Sequence, residues 1–145
     1  MKKFFLATMI AVCSHFAFAL DPGVDEKVLE AFNRTFPNVE DVVWTQTANS
    51  YEVKFKQDVI SSRVTYDKQG NVIKTLRYYF EEQLPIIITS KVKSKFSDKK
   101  IYGVTEEASD NGIFFHITLE DEKSWTQIKV DTYGSITVEN KFQKG

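Results

Sequence analysis

The chain has 145 residues, 42% of them hydrophobic and 27% charged, with 19 basic and 20 acidic side chains. That length suits one compact domain or two small halves sharing a core, and that balance argues against a disordered chain or a strongly basic nucleic-acid binder. Aromatic residues reach 14%, with 12 Phe and 6 Tyr, which leans toward sheet because flat side chains pack well on a pleated surface.

Residues 1–19 read as a secretory signal. Lys2 and Lys3 give a positive start, Phe4 to Val12 an apolar run, and Ala17-Phe18-Ala19 the small residues of a cleavage site near Ala19. The run is short for a membrane span, and the later cluster Ile86 to Ile88 is shorter still, so no membrane span is expected. Cys13 lies in the signal, and the branched Val12 before it argues against a lipid anchor. The mature chain would then hold no cysteine: no disulfide, no thiolate metal site and no Cys nucleophile. Loss of Lys2 and Lys3 takes the 19 basic residues to 17 against 20 acidic, a net charge of −3. The expected location is periplasmic or secreted. Lys91, Lys93, Lys95, Lys99 and Lys100 cluster, but Asp98 interrupts them, and they read as a solvated helix face rather than a nucleic-acid stripe.

Val24, Val28, Ala31 and Phe32 recur at helical steps, with Asp21 as N-cap, Pro22 in the first turn and Pro37 as the stop, which predicts a helix near residues 22–35. Four short strands follow: Val42 to Thr45, Tyr51 to Phe55, Ser61 to Tyr66 and Val72 to Phe80. Ala48-Asn49-Ser50 and Asp67-Lys68-Gln69-Gly70 supply turns, with Gly70 suited to positive φ. A second helix is predicted from Leu84-Pro85 to about Ser97, with Ile88, Val92 and Phe96 on one face. It is followed by strands Tyr102 to Glu106, Ile113 to Glu120, Ser124 to Asp131 and Ser135 to Glu139.

The chain matches itself at an offset of 64 residues. Tyr51, Val53 and Phe55 meet Phe115, Ile117 and Leu119; Asp67 and Gly70 meet Asp131 and Gly134; Val28 and Phe32 meet Val92 and Phe96. The expected fold class is therefore α+β: two tandem α-β-β-β-β repeats, residues 20–82 and 83–145, forming one compact domain. Helices would cover one face of an antiparallel sheet, and the other face would stay wet or bind a partner.

The order of Phe36-Pro37, Val42 to Trp44, Tyr51 to Phe55, Tyr66 to Gly70, Arg77 and Leu84-Pro85, echoed by Trp125 and Asp131 to Gly134, resembles the PepSY-like exported proteins with a β-lactamase-inhibitor-like tandem fold found in Bacteroidetes. The resemblance spans nearly the whole mature chain. It implies helices on one side of a curved antiparallel sheet and an exported location. It does not imply β-lactamase inhibition, because a fold hosts unrelated surfaces, and the disulfide-bearing loops of that fold are missing.

Familiar catalytic patterns are absent: no Gly-rich phosphate loop, no G-x-S-x-G and no H-E-x-x-H. His116 is the only histidine after the signal and falls out of phase with Phe115, Ile117 and Leu119, so a strand-surface position is expected. The acidic pairs Glu40-Asp41, Glu81-Glu82, Glu106-Glu107 and Asp121-Glu122 read as solvated, and the two D-x-x-G turns lack the ligand series of a calcium loop. No enzyme activity, cofactor or metal is expected. The favoured reading is a binding protein for an envelope protein or peptide, as a peptidase inhibitor or folding modulator. A carrier or sensor for a small apolar ligand is the alternative, and a structural envelope protein a third. Candidate partner-binding residues are Trp44, Trp125, Tyr78 and Tyr79 as aromatic anchors, of which the two tyrosines must face opposite ways, and Arg63 and Arg77 as carboxylate partners. Core packing is the competing role for both tryptophans.

Overall fold

The computed structural model describes residues 23–145, so the signal segment with Cys13 and the Asp21-Pro22 helix start lie outside the described residues. The chain runs α1 (Glu26–Thr35), β1 (Glu40–Gln46), β2 (Ser50–Gln57), β3 (Ile60–Asp67), β4 (Val72–Tyr79), a 3-10 turn (Glu81–Gln83), α2 (Ile86–Lys95), β5 (Lys100–Ser109), β6 (Gly112–Glu120), β7 (Ser124–Asp131) and β8 (Ile136–Gln143). Two α-β-β-β-β repeats thus form one curved sheet in the order β1 to β8, every neighbour antiparallel, with both helices on one face. The repeats join edge to edge through β4 and β5, from Lys74 opposite Ser109 to Tyr79 opposite Val104.

Alternation decides which side chains go inward. Tyr51, Val53 and Phe55 on β2, Val64 and Tyr66 on β3, Phe115, Ile117 and Leu119 on β6, and Ile128 and Val130 on β7 are buried under the helices. The apolar positions form two clusters, one per helix. Val28 and Phe32 of α1 close the first with residues of β2 and β3; Ile88 and Val92 of α2 close the second with residues of β5, β6 and β7. The seam is crossed by Tyr79 and Ile60, both from the first repeat and both packed in the second cluster. Each fully buried large side chain contributes roughly 1.5–3 kcal/mol of transfer free energy.

The helix boundaries differ from expectation at the start of α1, which has Asp25 at the N-cap position without a side-chain capping bond and begins at Glu26. Phe36 is the C-cap of α1, just before Pro37, and Phe96 is the C-cap of α2, with each cap N–H donating to the carbonyl four residues back. These caps correct the repeat alignment. Trp44 pairs with Val53 and Val104 pairs with Ile117, so β1 matches β5 at an offset of 60 while β2 matches β6 at 64. The helices also match at 60, placing Val28 with Ile88 and Phe32 with Val92, not with Val92 and Phe96. The second repeat gains four residues in its first hairpin, where Glu107, Ala108 and Ser109 add pairs with Phe114, Ile113 and Gly112. Four residues is close to one helical turn, so the wrong offset still kept the apolar stripe in phase.

The two D-x-x-G turns are Asx-turns. Asp67 Oδ1 accepts the N–H groups of Gln69 (2.9 Å) and Asn71 (2.8 Å), and Asp131 Oδ1 accepts those of Tyr133 (2.9 Å) and Ser135 (2.8 Å). These donors hold both carboxyls below the ordinary carboxylate range, in Asp67 chiefly through Asn71 and in Asp131 chiefly through the Ser135 N–H. They are structural fasteners, each at the end of a hairpin that folds back on its own helix.

Candidate functional site

The six residues singled out from the sequence divide between the two faces of the sheet. Trp44, Arg77 and Tyr79 lie on the helix side; Arg63, Tyr78 and Trp125 lie on the open side. Trp44 is half-buried, with its ring 5.3 Å from Phe32 and 6.3 Å from Tyr66, and it belongs to the first core. Tyr79 is 4% exposed, while Tyr78 on the other face is exposed. Tyr79 donates to Glu106 Oε2 at 2.6 Å, and Arg77 Nη1 donates to Glu106 Oε1 at 3.1 Å with its guanidinium 5.6 Å from the Tyr79 ring. Burial, followed by the Glu106 carboxylate, pushes the Tyr79 hydroxyl well above the usual phenol range. This triad bridges the two repeats beneath the helices. Arg77 already has its carboxylate there.

The open face has a different character in each half. In the first repeat it carries Lys54, Arg63, Thr65 and Glu52, with Arg63 Nε 3.5 Å from Glu52. Where the repeats meet, Lys74 pairs with Glu107 at 2.9 Å and holds that carboxyl below its usual range. Beyond the seam aromatic side chains gather. Phe114 lies under Lys129, whose ammonium is 4.0 Å from the ring centroid. His116 is on this face as expected, with Nδ1 3.3 Å from Glu139, and an open hollow beside it is lined by Thr105, Thr118 and Gln127. At the far corner Trp125 meets Tyr102 edge-on, with centroids 4.7 Å apart and planes at 77°, and stands opposite Phe142 on β8.

Tyr102 and Phe142 escaped the sequence reading because two β-bulges turn them out. Val104 points inward, and simple alternation would send Tyr102 the same way. The bulge between Ile101 and Gly103 leaves Tyr102 as the extra residue and swings its ring to Trp125. On β8, Val138 is opposite Ile128 and therefore on the helix side, yet Asn140 is opposite Gln127 on the open side. Glu139 is the extra residue there, and past it Phe142 faces Trp125. Tyr102 is 58% exposed and Phe142 50%, so the corner is accessible.

This architecture recurs in solved structures. A BLIP-like protein from Bacteroides fragilis matches at a TM-score of 0.64 and 18% identity, with 83% of this chain and 88% of that one covered. The chain has the BLIP-like fold. A candidate periplasmic protein from Bacteroides eggerthii matches at 0.62 and 16% over 83% and 88% of the two chains. A DUF2874 family protein from Bacteroides uniformis matches at 0.62 and 14% over 82% and 88%. No protein-family model and no curated protein matches the sequence.

Among the described residues no group of three or more His, Cys, Asp and Glu side chains could hold a metal ion. Nor is any described helix long and apolar enough to cross a membrane. In this BLIP-like fold Val28, Phe32, Ile88 and Val92 turn the helices into the core, Ile86 and Ile87 of α2 stay exposed, and the open sheet face is a broad, rigid surface. Strands hold side chains there with little freedom, which suits recognition.

Proposed function

We propose that this is an exported, non-catalytic binding protein that docks a protein or peptide of the cell envelope on the second-repeat half of its open sheet face. The observation that carries the reading is the corner formed by Tyr102, Trp125 and Phe142, where two bulges turn Tyr102 and Phe142 outward beside Trp125 although the sheet has a helix side to bury them in. Large aromatic anchors with a polar surround are what dominate protein interfaces. Glu139, His116, Gln127 and Lys129 supply that surround, with Tyr78 on the same face nearer the seam. The signal-like residues 1–19 and the PepSY-like pattern support export, and inhibition of a peptidase or modulation of folding is the form of activity this surface suits.

Capture from envelope extract and culture supernatant, with immobilised residues 20–145 as bait, tests the reading. The expected result is one stoichiometric protein partner, retained by the wild type and lost by Tyr102→Ala/Phe142→Ala. Equal retention by that variant, or no enriched protein with folded bait, overturns it.

A further inference from the structure

The aromatic corner is not empty. Lys144 donates to Glu120 Oε1 at 2.6 Å, and the same ammonium stands 4.6 Å from the centroid of the Trp125 ring. Glu120 and Trp125 are cross-strand partners, so ring and carboxylate form one seat on the open face. Tyr102 braces the indole from the side at 77°. The Lys144 backbone N–H donates to the Lys123 carbonyl at 2.9 Å, which anchors the chain here while the side chain reaches across. A ring face beside a carboxylate is the arrangement that attracts an alkylammonium, through the ring quadrupole and a charge-assisted hydrogen bond. The adjoining hollow is lined by the acids Asp98, Glu120, Asp121 and Glu122 with Lys100 and Lys144, and of these acids Asp121 is already paired with Lys99.

We infer that the Trp125–Glu120 seat receives a lysine side chain of the protein partner, and that Lys144 is a built-in occupant that the partner's lysine displaces. The inference rests on the open-face reading above and specifies the chemistry the partner presents there. Lys144 and Glu120 remain 28% and 32% exposed, so water reaches the pair and exchange costs little. Only side-chain rotation is needed to vacate the seat, because the backbone bond to Lys123 does not involve the ammonium. The seat therefore discriminates: a partner without a cation at this position leaves Lys144 in place and finds part of the aromatic corner covered.

The test uses the full mature chain and needs no native partner, so its failure is separate from failure of the capture experiment. The two indole N–H signals in a nitrogen-15 correlation spectrum are assigned with Trp44→Phe. The probe is acetyl-Gly-Lys-Gly-amide, and the control is the same tripeptide with norleucine, which keeps the chain length and drops the charge. The Trp125 signal in Lys144→Ala should move with the lysine tripeptide, at an affinity about tenfold above wild type. The norleucine tripeptide should leave it unmoved, and Lys144→Ala/Glu120→Gln should lose the response. The proposal is overturned by identical titrations of wild type and Lys144→Ala, by an equal response to norleucine, or by no response in Lys144→Ala.

Discussion

Gly70 and Lys27 lie so close that a Cβ on the glycine would stand 3.1 Å from the Lys27 carbonyl oxygen. The first D-x-x-G turn thus leans on the backbone of α1, and Gly70 holds φ at 86° to do so. In the second repeat Gly134, at φ 80°, meets the flexible side chain of Lys91, whose ammonium donates to the Tyr133 carbonyl at 2.6 Å. Both turns need a positive φ, but only the first meets immovable backbone.

Gly70→Ala should therefore cost more than Gly134→Ala. Both pay about 1 kcal/mol for the left-handed backbone, and Gly70→Ala pays a further ~1–2 kcal/mol to push the turn off α1. Urea unfolding of the two variants measures the difference. Equal losses would mean that the α1 contact yields.

Trp44 and Trp125 should separate in a stability assay. Trp44→Ala opens the first core beside Phe32 and Tyr66 and should cost about 2–4 kcal/mol. Trp125→Ala, on the open face, should cost about 1 kcal/mol or less. A larger loss for Trp125 than for Trp44 in thermal or urea unfolding would contradict the assignment of faces.

Tyr66 is 1% exposed, and its hydroxyl has no hydrogen-bond partner among the described residues. Tyr66→Phe should be neutral or stabilise by up to about 1 kcal/mol, because an unpaired buried hydroxyl is a cost. The same burial pushes its pKa from 10.0 up to about 12. The unfolded chain thus loses this proton first as pH rises, so stability is intact below pH 10 and falls between about 10 and 12. The fall from this group is about 2–3 kcal/mol at most. Tyr79 adds in the same sense. Unfolding midpoints across that range should drop less in Tyr66→Phe than in wild type.

Asp121 governs the acid side. Its carboxylate pairs with Lys99 and accepts from the Ser124 hydroxyl (2.8 Å) and the N–H groups of Lys123 (2.7 Å) and Ser124 (2.6 Å). Lys99 first, then Ser124, hold it far below the ordinary carboxylate range. A depressed carboxyl contributes stability present above its unfolded pKa of about 4 and lost as pH falls toward the folded value. Asp121→Asn should lower the urea midpoint at neutral pH and flatten its decline below pH 4. A variant curve parallel to wild type throughout would remove Asp121 from that role.

Much of this protein was legible in its sequence because the signals are local. Alternation in Tyr51 to Phe55 and Phe115 to Leu119, helical spacing in Val28 and Phe32, and the paired D-x-x-G turns are each produced by neighbours in the chain. They determined two repeated α-β-β-β-β units and the side of the sheet on which most residues lie. The position of His116 on the open face follows from the same count. Tertiary structure decided the rest, because it depends on hydrogen-bond register between strands. A bulge adds one residue to one strand and reverses the face of everything near it, yet Tyr102 and Glu139 carry no mark of this in the sequence. The same holds for the join of β4 to β5, for the pairing of Arg77 and Tyr79 with Glu106, and for the ammonium of Lys144 on Trp125 and Glu120. The side-chain partners are 19 to 29 residues apart in the chain, and only the assembled sheet brings them together.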